Sequence, residues 1–271
     1  MPDFALINSL PQERRRILQE ILVRDGRVTI QKIVQDFAVS EDTARRDLKE
    51  LEATGLCTYV YGGALLARDV PAAEAEDVGQ RRKMALDRKD LLGKVLGGLV
   101  QPGQVVFVDT GTTNLAAARY IPDLADVTVI THDPAIAAAL VPFQNIRLIS
   151  IGGRINRSVG AAIDAAAMRS IKNVNPDLLI LGTCAIDIQK GLSAFSYEDA
   201  EIKSMLVENA GEVATGILNE KLGSAAPYGI CALSGLNTLV LEADASPDML
   251  ENYQRAVPKL LVAEAAKGNR F

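Results

Sequence analysis

The sequence holds a single histidine, His132, only three cysteines, and no run of about 18 apolar residues of the kind that crosses a bilayer. One histidine excludes zinc sites built on two or more imidazoles and leaves any histidine-based catalytic triad resting on one residue. Cys57, Cys184 and Cys231 are far apart and odd in number, which fits neither a disulfide framework nor a CxxC metal site. They read as small buried side chains of a protein kept in a reducing cytoplasm. The stretch MPDFALINSL lacks the basic-then-apolar order of a signal peptide, so the expectation is a cytoplasmic location with no membrane partner. Positive charge is also in short supply, with 29 Lys and Arg against 34 Asp and Glu, a net −5. That balance does not advertise a nucleic-acid binder.

What is present is apolar content, at 48% of 271 residues, enough for a sizeable core and for two domains. The first third reads as three short helices. In PQERRRILQEILVRDG, Ile17, Leu18, Ile21 and Leu22 share a face and Gly26 follows as a stop. In TIQKIVQDFAVS, Ile30, Ile33, Val34 and Phe37 keep helical spacing, with Thr29 placed to cap. In SEDTARRDLKELEATG, Ser40 is an N-cap, Glu41 and Asp42 suit the positive end of the helix dipole, and Gly55 ends the run.

On the third helix Ala44, Leu48 and Leu51 form one stripe, while Asp42, Arg46, Lys49 and Ala53 point the other way. Thr43 stands beside that outer face and Arg45 on its flank. A helix that buries one face and offers Thr-x-Arg-Arg near its start has the geometry of a recognition helix in a major groove. LCTYVYGGALLA then supplies strand-prone residues around Gly-Gly, as a hairpin or wing does. An ordinary three-helix packing module with solvated arginines fits the same spacing.

Residues 1–68 carry ten basic and ten acidic side chains, so the segment is neutral. Distribution matters more than the sum, because phosphate contacts need only one positive face. Arg14, Arg15 and Arg16, with Arg45 and Arg46, are clustered enough to form one. The stretch DVPAAEAEDVGQ, residues 69–80, has the composition of a linker, which leaves 81–271 as a second domain.

That domain alternates. Apolar strand-like runs at 105–109, 127–131, 146–151, 178–182, 237–241 and 259–263 are separated by alanine-rich helical stretches, the pattern of a parallel sheet covered on both faces. Ligands in such sheets sit at the C-terminal strand ends. Four turns meet that condition: Asp109-Thr110-Gly111-Thr112-Thr113-Asn114, Thr131-His132-Asp133, Gly152-Gly153-Arg154 and Gly182-Thr183. In the first, Gly111 lets a ligand approach the backbone, and the threonine hydroxyls and the following helix's free N–H groups suit an anion. Arg154 is placed to close such a pocket with a guanidinium. Neither G-x-G-x-x-G nor G-x-x-x-x-G-K-[ST] is present there, so no nucleotide is indicated, and no cofactor or metal is expected.

These residues resemble a known family. RRRILQEILVRDGRVTIQKIVQDFAVSEDTARRDLKELEATGLCTYVYGGALL looks like the N-terminal domain of DeoR-type bacterial transcription regulators. VFVDTGTTN, VTVITHDP, LISIGGRIN, LLILGTCAID, GLSAFSYEDAEIK and NEKLG follow that family's sensor domain in order, the whole covering roughly residues 11–262. The resemblance implies an α/β fold with an N-terminal winged helix-turn-helix, then a mostly parallel sensor domain like that of sugar-phosphate isomerases. It implies a homo-oligomer, a dimer or tetramer, that binds double-stranded operator DNA and represses a catabolic operon until a phosphorylated sugar binds. Ser40, Thr43, Arg45, Arg46 and Lys49, with Arg14 and Arg15, then fall on the DNA side. Asp109, Thr110, Gly111, Thr112, Thr113, Gly152, Gly153, Arg154, Asp187, Glu201, Lys203 and Lys221 fall on the effector side.

Two departures from the family pattern stand out. His132 occupies a position where Asn is common, and Leu218 one where an acid is usual, three residues before Lys221. His132 can hydrogen-bond the effector or cap the helix starting at 133; both readings stand. A competing reading is an isomerase-like or deaminase-like enzyme using Asp109, Asp187, Glu201 and Lys203 as acid–base groups. The N-terminal module, for which such an enzyme has no use, speaks against it.

Overall fold

The computed structural model describes residues 10–25, 27–54, 56–60, 63–66, 78–124 and 126–264. The chain divides into two compact units between Ala75 and Glu76. The anticipated stops Gly26 and Gly55, Gly62 of the hairpin turn, and most of the stretch read as a linker lie outside the described residues.

The first unit contains helices α1 (Pro11–Asp25), α2 (Ile30–Phe37) and α3 (Glu41–Ala53), and strands β1 (Arg27–Thr29), β2 (Cys57–Val60) and β3 (Gly63–Leu66). The three strands form an antiparallel sheet in the order β1-β3-β2 beside the helices, the arrangement of a winged helix. Both caps read from the sequence form: Lys32 N donates to Thr29 Oγ1 at 3.1 Å and Thr43 N to Ser40 Oγ at 3.2 Å. Leu18, Leu22, Ile33, Phe37, Ala44, Leu48 and Leu51 make the core, so the helical stripes bury the faces their spacing predicts.

One polar pair joins that core. Asp47, one position from the apolar stripe of α3, is buried and accepts from Arg14 Nε of α1 at 2.5 Å. Two ions held out of water remain stable only together, because each neutralises the other where solvent cannot.

The second unit is built on seven parallel strands: β4 (Val105–Val108), β5 (Thr128–Thr131), β6 (Arg147–Ser150), β9 (Leu178–Ile180), β12 (Glu212–Ile217), β14 (Thr238–Glu242) and β15 (Lys259–Ala263). Their order is β15-β14-β12-β9-β4-β5-β6. Apolar side chains leave both faces. Helices α5 (Leu86–Gly97), α6 (Thr112–Ala118) and α7 (Pro134–Leu140) cover one; α8 (Ala165–Ile171), α9 (Tyr197–Asn209) and α10 (Pro247–Ala256) cover the other. Gly93 and Gly97 let α5 lie against α6, since a Cβ on either would stand 2.7 Å from backbone atoms there. The hairpin β7–β8 (Ile155–Asn156, Ala161–Ala162) and a three-stranded sheet of β10 (Ala185–Asp187), β11 (Gly191–Ala194) and β13 (Tyr228–Cys231) complete the unit, with a one-turn helix α4 (Val78–Arg81) at its start.

Six of the seven parallel strands coincide with the apolar runs. The seventh, β12, was missed: its sequence EVATGI is diluted by Ala, Thr and Gly216. Gly216 packs closely there, since a Cβ would come within 2.8 Å of Leu96 Cδ1 on α5.

Chain direction across the sheet positions the site. From β4 the chain moves outward through β5 to β6, then returns to the other side of β4 at β9 and continues through β12, β14 and β15. The connections after β4 and β9 therefore diverge and leave a crevice at their C-terminal ends.

Replacing Asp47 with Ala should leave the Arg14 charge buried and cost the first unit about 3–5 kcal/mol. Urea unfolding of the whole chain followed by circular dichroism tests this; an unchanged midpoint would mean that the pair contributes nothing.

Candidate functional site

Asp109, at the end of β4, is fully buried, and three groups converge on its carboxylate. Lys203 Nζ of α9 lies 2.5 Å from Oδ2, the Gly182 amide at the end of β9 donates to the same oxygen at 2.8 Å, and His132 Nε2 lies 2.9 Å from Oδ1. Asp109 thus ties β4, β5, β9 and α9 together across the crevice. Burial pushes its carboxyl up, but Lys203 and then His132 outweigh that and hold it at about 2. Burial alone depresses Lys203, yet Asp109 and Asp199 raise its ammonium above its ordinary value.

His132 neither caps a helix nor lines the crevice. Asp133 caps α7 through Ala135 N at 2.8 Å, and His132 sits buried behind the site. Its Nδ1 lies 2.8 Å from the Ala162 carbonyl oxygen and must donate to it, while Nε2 faces the Asp109 carboxylate. A neutral ring has one N–H and can serve one of these acceptors; a ring protonated on both nitrogens serves both.

In front of Asp109 the crevice is lined by Gly111, Thr112, Thr113, Thr183, Asp199, Lys203 and Lys221, among others. Gly111 adopts φ +148°, which side chains rarely tolerate, and so opens the turn into α6. Asn114 Nδ2 holds that turn by donating to the carbonyls of Asp109 (2.9 Å) and Ile180 (3.0 Å). Gly182 must be Gly, since a Cβ would stand 2.0 Å from Thr110 O. The Thr110 hydroxyl is committed inward to Asp133 Oδ2 at 3.0 Å, and Thr112 and Thr113 line the crevice beside it. Lys221 Nζ donates to Thr183 O at 2.8 Å. Asp199 Oδ1 lies 3.3 Å from Lys203 Nζ but makes no aligned hydrogen bond, so a buried acceptor stands open in the crevice.

Several residues expected at the site lie elsewhere. Asp187 caps its own hairpin by accepting from Gln189 N and Lys190 N, both at 2.9 Å. Glu201 is exposed on the outer face of α9 and accepts from the Tyr197 hydroxyl at 2.8 Å. Gly152, Gly153 and Arg154 are exposed, with Arg154 N bonded to Asp164 Oδ2 at 3.0 Å. The guanidinium lining the crevice is that of Arg81 instead. Of the four acid–base candidates only Lys203 lines the crevice, and its ammonium is engaged by Asp109. Asp199 was not singled out from the sequence, though its spacing of four from Lys203 is the signal that finds it. Leu218 is buried in the core under the sheet.

In the first unit, Thr43 lies near the start of α3, and Arg45, Arg46 and Lys49 are exposed. Arg45 pairs with Glu41 at 3.0 Å. Arg46 and Lys49 make no ion pair among the described residues. Arg14 is buried against Asp47 and Arg15 pairs with Glu50, so neither is available to a phosphate without losing an internal partner. Arg16 is the exposed arginine of that trio.

A family model described as "DeoR-like helix-turn-helix domain" matches residues 14–70, and one described as "DeoR C terminal sensor domain" matches residues 84–243. Among the chain's relatives, the "HTH-type transcriptional regulator GlpR" of Haloferax volcanii is 30% identical over 91% of this chain and 96% of its own. The "Putative aga operon transcriptional repressor" of Escherichia coli O157:H7 is 27% identical over 93% and 94%. The "Glycerol-3-phosphate regulon repressor" of Escherichia coli K12 is 26% identical over 85% and 90%. Among solved structures, ribose 5-phosphate isomerase A of Methanocaldococcus jannaschii aligns over 50% of this chain and 54% of its own, at TM-score 0.37 and 16% identity. The sorbitol operon regulator SorC of Klebsiella pneumoniae aligns over 95% and 97%, at TM-score 0.34 and 11% identity. Similarity at that level has no bearing on function.

The charge cluster makes stability depend on pH in a predictable direction. Asp109 is depressed, so its contribution is present above about pH 4, the ordinary carboxyl value, and is lost as pH falls toward about 2. Replacing Lys203 with Met removes the ammonium, lets burial raise Asp109, and should cost about 3–5 kcal/mol at pH 7. The gap between variant and wild type should narrow as pH falls, because protonating Asp109 relieves the variant first. Urea titrations at pH 7 and pH 4 measure it; a gap independent of pH would show that Lys203 does not act through the Asp109 charge.

Proposed function

The chain belongs to the DeoR family of transcription regulators, and from that premise we propose that it represses a carbohydrate-catabolic operon and is released by a phosphorylated sugar or polyol bound in the second unit. The observation that carries the ligand class is the gathering in one crevice of Asp199, whose buried Oδ1 has no hydrogen-bond partner, with Lys221, Thr112 and Thr113. An unmet acceptor calls for a ligand O–H, while an ammonium with only a carbonyl partner calls for an anion. A phosphorylated polyol or sugar carries both. The family model described as a sensor domain and the relative named for a glycerol-3-phosphate regulon support the same class.

On the DNA side, Ser40, Thr43, Arg46 and Lys49 lie along the outer part of α3 and serve as the reading surface, with Arg45 and Arg16 toward phosphates. Since Arg14 and Arg15 are committed internally, few cations face outward, and binding to random sequence is weak and only shallowly salt-dependent. A homo-oligomer of even order presents two α3 helices to half-sites about one helical turn apart. The effector releases DNA only in so far as it favours one arrangement of these heads over the other.

Catalysis is the weaker reading. Asp187 and Glu201 do not line the crevice, and Asp109 is sealed behind it with its charge neutralised.

Fluorescence anisotropy of a labelled duplex from the gene's upstream region, with and without phosphorylated sugars and polyols, tests the proposal. The expected result is tight binding released by a compound of that class. Arg46→Ala should cost about 1–3 kcal/mol in operator affinity while effector binding persists. Operator binding that no phosphorylated compound weakens would overturn the effector assignment.

A further inference from the structure

Arg81 is the last residue of α4, the first described element after residues 67–77, through which the two units are joined. Its side chain reaches the same crevice as Lys221 and Thr113. Arg81 Nη2 donates to Ser158 O at 2.8 Å, and its Nε is buried with no hydrogen-bond partner. A buried guanidinium N–H without an acceptor is costly, and a site that keeps one is shaped for an anion to complete it. Around the crevice, Arg81, Lys203 and Lys221 supply three cations and Asp199 one carboxylate, while Asp109 is bound to Lys203. Lys221 is pushed below its ordinary range, most by burial and further by the charges of Arg81 and Lys203. Two cations thus stand near each other with backbone carbonyls, not carboxylates, as their hydrogen-bond partners.

The way α4 is held gives this residue a second consequence. Val78 rests on Gly160, where φ is +89° and a Cβ would stand 3.0 Å from Val78 Cγ2. Arg81 bonds the neighbouring Ser158, and Lys89 Nζ of α5 fixes the end of the helix through Arg81 O (2.6 Å) and Met84 O (2.7 Å). Between Ser158 and Gly160, Val159 lines the crevice, and its carbonyl lies 3.2 Å from the Thr110 hydroxyl of the turn after β4. The turn, the β7–β8 hairpin and α4 are therefore one contact chain ending on the segment that leads to the first unit.

We infer that Arg81 binds the anionic group of the effector together with Lys221, and that α4 is the element through which occupancy reaches the chain connecting the two units. This rests on the crevice being the effector site. An anion between Arg81 and Lys221 gives Arg81 Nε its missing acceptor and screens the repulsion between the two cations. The guanidinium then holds Ser158 O through Nη2 and the ligand through Nε, and the added contact steadies the seating of α4 on the hairpin. A helix whose seating depends on a bound anion is a short mechanical path, with no need for the sheet to deform.

The test uses the full chain in phosphate-free buffer and inorganic phosphate as the probe. Hydrogen–deuterium exchange of the wild-type protein, with and without millimolar phosphate, should slow in peptides covering 105–116 and in those covering 78–90. Arg81→Gln and Lys221→Gln should each weaken phosphate binding at least about tenfold by calorimetry, the loss of one charge-assisted contact. Protection at 105–116 without protection at 78–90 would overturn the role of α4, and so would phosphate binding by Arg81→Gln equal to wild type. In either case the crevice remains the effector site. Protection at neither segment would overturn this inference and the effector site together. The exchange result on wild type decides the matter even if Arg81→Gln fails to fold.

Discussion

The ion pair between Lys203 and Asp109 is the interaction on which the second unit depends. It joins the end of β4 to α9 across the point where the sheet's connections diverge, and both partners are out of contact with water. Gly182 N and His132 take the remaining carboxylate valences, so four segments of chain share one buried charge. The crevice in front exists because these groups hold its back wall. Its polar front is then free to face a ligand, with Thr112, Thr113, Lys221 and Arg81 around the unmet oxygen of Asp199. Buried and satisfied behind, buried and unsatisfied in front: that contrast separates framework from binding surface in this molecule.

The first unit follows the opposite economy of charge. Its neutral composition leaves little positive surface, and two of its clustered arginines are committed to Asp47 and Glu50. What remains outward on α3 is a narrow set, Arg45, Arg46 and Lys49 after the Ser40 cap. A reading head with few cations relies on base contacts and on pairing of heads more than on bulk attraction to phosphate, since each lost phosphate contact lowers non-specific affinity and flattens its salt dependence.

Local periodicity carried much of the architecture. The stripes of α1, α2 and α3, the caps Thr29 and Ser40, and six parallel strands were all legible, because each depends on residues within one or two turns of each other. β12 was not, since Ala214, Thr215 and Gly216 dilute its strand signal, and Gly216 lies against Leu92 and Leu96 of α5. Arg154 and Arg81 show the same limit at the site. Both are arginines near strand-to-helix turns or linkers, yet Arg154 is exposed and Arg81 lines the crevice, which depends on where the β7–β8 hairpin folds back. Asp187 and Glu201 are close in sequence to crevice-lining residues but lie outside the crevice themselves. A shift of a residue or two on a strand or helix reverses the face, and chain position does not record it.

What the sequence determined by itself is the family, the helices of the first unit and six of the parallel strands, because those follow from spacing and capping chemistry within short windows. Tertiary structure alone decided which charges are spent and which are open. Whether Arg14 meets DNA or Asp47, whether His132 meets a ligand or Asp109, and whether Arg81 or Arg154 supplies the guanidinium depend on partners between 23 and 77 residues away, brought near by the order of strands and helices. Charge acts through distance and burial, and neither exists until the chain has folded.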